Sequence, residues 1–424
     1  MNPARSLHVL LPALGSAGDV HPVLAIALGL QARGYRATVL TNPWFEQQVR
    51  AAGVEFMPLG TLQQAEIAVK DPRLWHPTRA FGAVVDYLIR PNIEPLYRII
   101  ADHCRAGTVV AASGPCFGAR IAHDRLGVPL ATVHLQPALF RSLIDGGTLN
   151  RLPMGPRVPA LLKRALYGAV DALLVDRVLA PPVNEFRRRL DLPPVRGILR
   201  DYVHSPQRVI GMFPPWFAAP QPDWPPQARL AGFALYDAGE HYPMPPSAED
   251  FLTAGPAPVV FTPGSGAATL HGFFHASVEA CRRTGLRAML VTNFPDQLPR
   301  DLPSHVAAFG YLPFGRLLPR CAALVYPGGI GTLAQCIRAG IPHLVVPHAH
   351  DQFDNAARVK RLGLGEVIAA GRYDSRRAAR ALQHLLGSAA LQLRCREQAG
   401  AVDSAAAVQR ACELIEGCAA GGTS

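Results

Sequence analysis

The residues most able to do chemistry lie in the stretch 326–355, YPGGIGTLAQCIRAGIPHLVVPHAHDQFDN. Gly328, Gly329 and Gly331 separate an apolar segment from a predicted helix. Glycines let the backbone approach a ligand closely, and the first amides of a helix have no partner within it. With the positive end of the helix dipole, they favour a phosphate at this turn. An ordinary strand-to-helix turn explains so short a motif equally well.

A carboxylate beside a carboxamide follows the next apolar segment, His343–Val346. Open α/β sheets bind ligands at the carboxyl ends of their strands, where Asp351 and Gln352 are expected. A carboxylate only accepts hydrogen bonds, whereas a carboxamide donates and accepts, so the pair can hold adjacent hydroxyls of a sugar. A phosphate turn followed by a hydroxyl-binding pair predicts a site for a nucleotide-sugar.

The loop GSAGDVHP, residues 15–22, is the second candidate for chemistry. Transfer of a sugar to a hydroxyl needs a base near the acceptor oxygen, and Asp19 can supply it. An aspartate before a helix opened by Pro22 is equally suited to a helix N-cap. His21 is the second candidate for the base.

These residues need strands that end beside one another, and the chain supplies a repeating strand–helix rhythm. The predicted strands are Leu7–Leu11, Ala37–Thr41, Val54–Pro58, Thr108–Ala112, Leu130–Leu135, Val259–Thr262, Arg287–Thr292, Val306–Phe309, Ala323–Tyr326 and His343–Val346. Such alternation predicts an α/β protein with parallel sheets and right-handed crossovers. A segment rich in proline, glycine and acids, 236–257, predicts a linker between two domains.

The donor stretch resembles the C-terminal signature of family 1 glycosyltransferases, and the resemblance covers essentially the whole chain. It implies the GT-B fold, in which two Rossmann-like domains face each other across a cleft. The implied parts are an acceptor-binding domain at 1–235, a linker at 236–257, a donor-binding domain at 258–400, and a crossover helix with a disordered tail at 401–424.

The resemblance also implies roles for single residues. The glycine run with Thr332 holds the diphosphate, Asp351 and Gln352 hold the sugar, and Asn355 supports the phosphate end. Further implied donor contacts are Ser265 on the phosphates and Tyr311 and Leu312 at the nucleobase. The family carries a phosphate-binding histidine before the glycine run, where this chain has Tyr326, whose phenol has no positive charge at neutral pH.

GSAGDVHP resembles the GSxGDVxP signature of bacterial members, in which the aspartate stands where plant and animal members have a catalytic histidine. Histidine-based members use a partner aspartate after the fourth strand. The corresponding stretch here, 109–116, offers Ser113 and no acid. A base that is itself an anion needs no such partner.

Two segments, 71–82 and 204–225, resemble bacterial rhamnosyltransferases of rhamnolipid synthesis. This implies inverting transfer from dTDP-L-rhamnose to a 3-(3-hydroxyalkanoyloxy)alkanoate. The acceptor-binding candidates are Trp75, Phe81, His134 and Phe140. The alternatives are a related enzyme acting on another apolar acceptor, such as a polyketide, a carotenoid or another lipid, and a non-catalytic subunit that binds a nucleotide-sugar.

Composition narrows the partners. The formal charge is +11, which favours anionic partners, yet no nucleic-acid-binding signature accompanies it. The chain has no D-x-D pair for Mg²⁺, so no metal and no cofactor is expected. No apolar run is long enough to span a membrane. We expect a cytoplasmic protein with any inner-membrane contact peripheral, and a partner subunit could supply the lipid acceptor.

A leucine-rich segment shows helical spacing. Its apolar positions are Leu161, Leu162, Leu166, Val170, Leu173, Leu174, Val178 and Leu179. Such a stripe predicts a face directed at the core. An apolar groove with nearby arginines, suited to an acceptor with a carboxylate head, is the alternative.

Overall fold

A computed structural model describes residues 7–236, 243–265 and 270–419, which divide between two units. The first unit groups residues up to 68 with 79–236 and with those from 403 onward. The second unit groups 69–78 with 237–402. Each unit is built on a parallel sheet with helices, which confirms the predicted fold class.

The first unit contains a seven-stranded sheet. Its strands, with two that form a separate hairpin, are β1 (His8–Pro12), β2 (Arg36–Thr41), β3 (Glu55–Pro58), β4 (Thr108–Ser113), β5 (Leu130–His134), β6 (Thr148–Leu149), β7 (Leu152–Pro153), β8 (Arg208–Gly211) and β9 (Ala228–Leu230). The helices are α1 (Ala17–Ala32), α2 (Glu46–Ala51), α3 (Leu62–Lys70), α4 (Ala80–Val84), α5 (Ile93–His103), α6 (Phe117–Leu126), α7 (Ala160–Val170) and α8 (Asp176–Arg189). The strand order is β3-β2-β1-β4-β5-β8-β9, and β6 pairs with β7 alone.

The central strands of this sheet are apolar because both faces are covered. Leu10, Val109 and Val110 are wholly buried, as expected for parallel strands packed between helices. On one face, Leu96 and Ile100 of α5 join the same core cluster as Leu10 and Val110. Burying each such side chain contributes about 1.5–3 kcal/mol. The carboxyl ends of these strands therefore have a rigid base.

The second unit contains a six-stranded parallel sheet. Its strands are β10 (Val259–Phe261), β11 (Ala288–Val291), β12 (Val306–Phe309), β13 (Ala323–Tyr326), β14 (His343–Val345) and β15 (Gly365–Val367). Its helices are α9 (Pro246–Thr253), α10 (His271–Thr284), α11 (Phe314–Leu317), α12 (Ile330–Ala339), α13 (Gln352–Leu362), α14 (Ser375–Gly387) and α15 (Ala389–Ala399). The order β12-β11-β10-β13-β14-β15 puts β10 beside β13, so their carboxyl ends are neighbours.

The last helix, α16 (Ser404–Ala419), belongs to the first unit. It packs on α1 at Gly29, where an added Cβ would lie 2.4 Å from Val408 Cγ1. Arg33 of α1 and Glu416 of α16 form an ion pair. The expected disordered tail lies at 420–424, outside the described residues.

The segment predicted as a linker is partly helical. Residues 237–242 of it lie outside the described part of the chain. Beyond them, α9 buries Ala248 and Leu252 in the second unit. Its proline-rich start hid the helix, because Pro246 is accepted in a first helical turn.

The prediction that the leucine stripe from Leu161 to Leu179 faces the core is wrong for several of its residues, although Leu179 is buried. Leu161 is 78% exposed and Leu173 is 71% exposed. The inward face is taken instead by Lys163, Tyr167 and Asp171, which are all buried.

Two further features are the state of the cysteines and the lengths of the apolar helices. All eight cysteines are free, and all except Cys104 are buried. Over the described ranges, no helix combines the length and apolar character that a membrane crossing requires.

Candidate active site

The glycine turn between β13 and α12 is shaped by Gly328. Its φ is +101°, and an added Cβ would lie 2.7 Å from Val345 Cγ1 and 3.3 Å from the Gln352 carbonyl oxygen. Only glycine fits there. By contrast, no heavy atom of the described residues lies within 4 Å of a Cβ added at Gly329. The space beside Gly329 is therefore open to a ligand.

The first turn of α12 presents backbone amides at this open space. Gly329 is the N-cap residue and has no side chain to cap the helix. Leu333 N donates to the Gly329 carbonyl, 2.9 Å away, so the amides of Ile330, Gly331 and Thr332 precede the first helical hydrogen bond. These amides, with the helix dipole, can bind a diphosphate.

Asn355 connects the glycine turn to the Asp351 loop. Its Nδ2 donates to the Gly328 carbonyl at 2.9 Å and to Asp351 Oδ2 at 2.6 Å. Because both amide hydrogens are used, Asn355 supports the phosphate end through the backbone of Gly328. Its Oδ1 is buried and has no partner among the described residues.

Gln352 is buried and holds its own loop. Its Oε1 accepts hydrogen bonds from the amides of His348 at 2.8 Å and Ala349 at 3.0 Å. Only Nε2 remains to meet a sugar, so the pair offers acceptor oxygens from Asp351 and a donor from Gln352. The predicted binding of sugar hydroxyls by this pair is therefore restricted, because the Gln352 side chain could only donate a hydrogen bond to the sugar.

The structure does not support Tyr326 as a phosphate ligand. The ring is wholly buried, and its hydroxyl shares a hydrogen bond of 2.8 Å with Nδ1 of His343 on β14. Burial raises the pKa of Tyr326 well above its usual value. The residue directly before Gly328 is Pro327, which has no side-chain donor. The leaving group must therefore be stabilised from the backbone at this position.

Ser265, Tyr311 and Leu312 follow strands of the same sheet. Ser265 is exposed in the turn after β10, next to the end of β13. Tyr311 is 41% exposed, whereas the Leu312 side chain is 2% exposed. Tyr311 can stack on a nucleobase, but Leu312 is a core residue, and the prediction that its side chain contacts the base is not supported.

Trp75 belongs to the second unit and contacts the residue that precedes Asp351. Its ring meets that of His350 edge-on, with centroids 5.7 Å apart. His350 adopts a positive φ of 59°, and its ring is hydrogen-bonded to the backbone of Leu74. Burial lowers the pKa of His350. These contacts do not test the acceptor role of Trp75, which stays a prediction.

Asp19, in the first unit, is the third residue of α1. Helix α1 begins at Ala17 rather than at Pro22, and Ser16 is its N-cap. Ser16 N donates to Asp19 Oδ2 at 2.8 Å, with Ser16 Oγ at 3.3 Å. Gly15 makes this fold possible, because an added Cβ would lie 2.1 Å from Oδ2. Asp19 therefore supports the cap and is not itself the N-cap.

Burial raises the pKa of Asp19 to about 6, against the opposing effect of its hydrogen bonds from Ser16. At neutral pH the carboxylate remains mostly ionised. A group that titrates near the working pH is a better general base than an ordinary carboxylate.

His21 is the weaker of the two base candidates. Its Nε2 lies 3.0 Å from Gln48 Nε2, and its ring meets Tyr236 edge-on at 5.5 Å. Burial lowers the pKa of His21 to about 4, so the imidazole is neutral but weakly basic. The geometry favours Asp19.

Two acceptor candidates of the first unit lie in its interior. His134 is wholly buried and shares a hydrogen bond of 3.0 Å with His204. Phe140 is 3% exposed and packs on Trp224 at 4.7 Å. The structure does not support these two side chains as lining an acceptor surface. Phe81 is half-buried at the edge of the core cluster of α8, and its contact with the acceptor stays a prediction.

A small cavity near Asp19 carries no sequence motif. It is lined by residues that include Leu14, Gly15, Leu59, Leu88 and Asn92. Asn92 is 6% exposed; its Nδ2 donates to the Leu88 carbonyl, and its Oδ1 has no partner among the described residues. The walls include the turns after β1 and β3, α3 and the helical turns before α5, so no local pattern marks them. The glycines after β1 and β3 are the signal that the sequence offers.

Known families match both parts of the chain. Residues 9–143 match the family model of the glycosyltransferase family 28 N-terminal domain. Residues 288–418 match that of the erythromycin biosynthesis protein CIII-like, C-terminal domain. The chain is a GT-B glycosyltransferase. This enzyme is 28% identical over 425 residues to O-mycaminosyltylonolide 6-deoxyallosyltransferase of Streptomyces fradiae, covering 97% of each chain.

Solved structures share the fold of this glycosyltransferase. The glycosyltransferase of kitacinnamycin has a TM-score of 0.71 at 20% identity, covering 98% of this chain and 99% of that one. Spinosyn rhamnosyltransferase SpnG complexed with thymidine diphosphate has a TM-score of 0.63 at 17% identity, covering 96% and 100%. These likenesses confirm the expected GT-B fold.

Proposed function

We propose that this glycosyltransferase moves L-rhamnose from dTDP-L-rhamnose to the hydroxyl of a 3-(3-hydroxyalkanoyloxy)alkanoate, giving a mono-rhamnolipid. The observation that carries the reaction type is Asp19, a carboxylate whose pKa burial raises to about 6 in the loop after β1. The sugar and acceptor rest on the resemblance of 71–82 and 204–225 to rhamnolipid enzymes.

The proposed reaction is a single displacement. Asp19 takes the proton of the acceptor hydroxyl, whose oxygen bonds to the anomeric carbon as the bond to the diphosphate oxygen breaks. The anomeric configuration inverts, and the proton passes from Asp19 to solvent. The amides at the start of α12 stabilise the charge on the departing thymidine diphosphate, so turnover needs no metal.

The donor proposal is supported by the relatives. One is named for transfer of a 6-deoxyallosyl group, and another is a rhamnosyltransferase solved with thymidine diphosphate. Asp351 and Gln352 Nε2 would hold sugar hydroxyls, Ser265 would contact a phosphate, and Tyr311 would stack on the thymine.

The acceptor proposal rests on the resemblance to rhamnolipid enzymes. The cavity beside Gly15 lies next to the loop that holds Asp19, but it has room only for a group of about the size of one water molecule, and both apolar and polar side chains line it. The acyl chains of the acceptor would therefore lie outside this cavity.

Another apolar acceptor is the second candidate, favoured by the relative that is named for a tylonolide acceptor. A non-catalytic subunit is disfavoured by Asp19, although Pro327 removes the usual donor before the glycine run. We further propose that the enzyme contacts the inner membrane peripherally, where a lipid acceptor or a partner that supplies it is available.

The test uses purified enzyme with dTDP-L-rhamnose, a hydroxyalkanoyloxyalkanoate and EDTA, with the product detected by mass spectrometry. A rhamnosylated lipid is expected from the wild type, and Asp19→Asn should lower turnover by about 10²–10⁴. Product that forms only when Mg²⁺ is restored would overturn metal independence. Binding of thymidine diphosphate without any product from this acceptor would overturn the acceptor and direct attention to polyketides.

A further inference from the structure

Helix α7 and the π-helical turn that follows it, Asp171–Val175, turn a largely polar face inward. Lys163, Tyr167, Asp171 and the apolar Val175 recur every four residues, and all are buried. Residues at this spacing lie on one face of a helix. The opposite face, which is rich in leucine, is left outside.

The inward polar face has definite partners. Lys163 Nζ donates to the carbonyls of Leu143 at 3.0 Å and Ile144 at 2.6 Å. Asp171 accepts from Arg141 Nη1 at 2.6 and 2.7 Å, and the Arg141 guanidinium lies 5.1 Å from the centre of the Tyr167 ring. These contacts fix the loop before the β6–β7 hairpin to α7, so the helix cannot simply rotate to bury its leucines.

The outward face is a set of protruding apolar side chains. The exposed fractions are 78% for Leu161, 50% for Leu162, 71% for Leu173, 43% for Leu174, 54% for Leu152 and 47% for Ile144. Leaving one leucine exposed forgoes about 1.5–3 kcal/mol of burial. Leu161 with Leu162, and Leu173 with Leu174, are neighbours in the chain, and exposed large apolar groups of this kind mark interaction sites.

Arginines accompany the leucines. Arg157, Arg164 and Arg177 are exposed, and none has an ion-pair partner among the described residues. The acids of the same segment face inward, since Asp171 binds Arg141, and Asp176 accepts from the amides of Gly197 at 2.8 Å and Ile198 at 3.0 Å. Asp145, next to Ile144, is half-buried, and its Oδ1 accepts a hydrogen bond from the Gly147 amide at 3.3 Å. The exposed leucines are thus accompanied by three exposed arginines.

We propose that this leucine–arginine surface, formed by the exposed leucines and Ile144 named above with Arg157, Arg164 and Arg177, docks on an anionic phospholipid bilayer. Leucines that protrude from a helix suit insertion between headgroups, and arginines suit lipid phosphates. Each arginine near an anionic membrane contributes about 1 kcal/mol. The inference names the surface behind the peripheral contact proposed above, and it does not depend on which acceptor is used.

The test is sedimentation of the full-length protein with vesicles. Wild type should sediment with vesicles that contain phosphatidylglycerol and remain in solution with phosphatidylcholine alone, and added salt should weaken the binding. Leu161→Ser/Leu173→Ser and Arg157→Glu/Arg164→Glu should each lower binding by roughly tenfold or more, since two arginines account for about 2 kcal/mol. Thymidine diphosphate binding should be unchanged in both variants, which shows that they are folded.

Matched controls lie on the second unit. Leu393 is 52% exposed on α15, and Arg376 is exposed on α14. Leu393→Ser and Arg376→Glu should bind vesicles like wild type. The proposal is overturned if wild type does not bind anionic vesicles, or if the controls lose as much binding as the surface variants. It is also overturned if the leucine variant converts a dimer to a monomer while vesicle binding persists, because a second copy would then cover the surface. The vesicle-binding results can be interpreted even if the enzyme does not make a rhamnolipid.

Discussion

At the scale of single residues, the proposed role of Asp19 as the base predicts the pH range in which the enzyme works. Its pKa is raised to about 6 by burial, so the base is lost as the pH falls through that value. We expect kcat/KM to fall with one acid limb near pH 6 and to level off above it. Rates measured from about pH 3 to 9 would check this. A limb near 4 would assign the base to His21, whose pKa is lowered to about 4.

The same burial predicts a stability cost. Between the ordinary value of 3.8 and about 6, the folded state binds the proton more tightly than the unfolded state, so stability falls as pH rises through this window. Asp19→Asn removes the buried charge and should stabilise the protein at pH 8 by up to about 3 kcal/mol, with the gain vanishing below pH 4. Urea unfolding at both pH values measures it. A less stable variant at pH 8 would show that the Ser16 hydrogen bonds outweigh burial.

Substitutions of Asp351 and Asn355 should affect ligand binding differently, although the two side chains are hydrogen-bonded to each other. Asp351→Ala removes an acceptor for the sugar, so dTDP-rhamnose should bind more weakly while free thymidine diphosphate binds as before. Asn355→Ala releases the Gly328 carbonyl and should weaken both ligands, by about 1–3 kcal/mol for a buried hydrogen-bonding group. Calorimetry with both ligands separates the two. Equal loss of both ligands in Asp351→Ala would contradict the sugar role.

The candidate site residues could be identified from the sequence, but the directions in which their side chains point could not. The glycine run and Asp19 carry local signals, because turns and helix starts depend on neighbouring residues. Tyr326 and His134 stand at strand ends, where a shift of one residue turns a side chain from a ligand to the core. Both turn inward, to His343 and His204.

At the scale of elements, the turn before α12 offers a matched pair of glycines. Gly328→Ala forces a positive φ on alanine and a contact of 2.7 Å with Val345, so the protein should lose several kcal/mol of stability, about 1–2 of them from the backbone alone. Gly329→Ala has φ −60° and open space, so stability should change by only a few tenths of a kcal/mol.

The ligand distinguishes the two positions. The new methyl of Gly329→Ala points into the open space and should weaken thymidine diphosphate binding in a protein that melts like wild type. Thermal unfolding and calorimetry of the two variants check this. Unchanged nucleotide affinity in Gly329→Ala would place the diphosphate elsewhere.

The buried strands of both sheets could be predicted, because a strand that is covered on both faces consists of consecutive apolar residues. Helix α7 could not, because its leucines follow the pattern of a core helix while Lys163 and Asp171 are buried instead. Which stripe turns inward depends on Leu143, Ile144 and Arg141, whose contacts are tertiary. The three-residue strand β9 is too short to leave a pattern.

At the scale of the whole molecule, the packing of α16 on α1 predicts a compensating pair. Gly29→Ala puts a methyl 2.4 Å from Val408 Cγ1 and should destabilise the first unit by about 1–3 kcal/mol. Adding Val408→Ala should recover part of the loss. A double-mutant cycle by urea unfolding measures the coupling. Additive effects would show that α16 is not held at this contact.

Two α/β domains could be predicted because the strand–helix rhythm repeats along the chain. The family resemblance also implied that the last helix returns to the first domain, and α16 belongs to the first unit. The place of segment 69–78 in the second unit could not be predicted, because it depends on contacts between distant residues, such as that of Trp75 with His350.

The return of α16 also bears on synthesis. Domains generally fold as units, the amino-terminal one first, while the ribosome extends the chain. Here the first unit lacks the helix that covers Gly29 and pairs with Arg33 until the second unit has emerged. We expect the amino-terminal half to be the last to complete its core, with α1 available to chaperones until translation has passed α16.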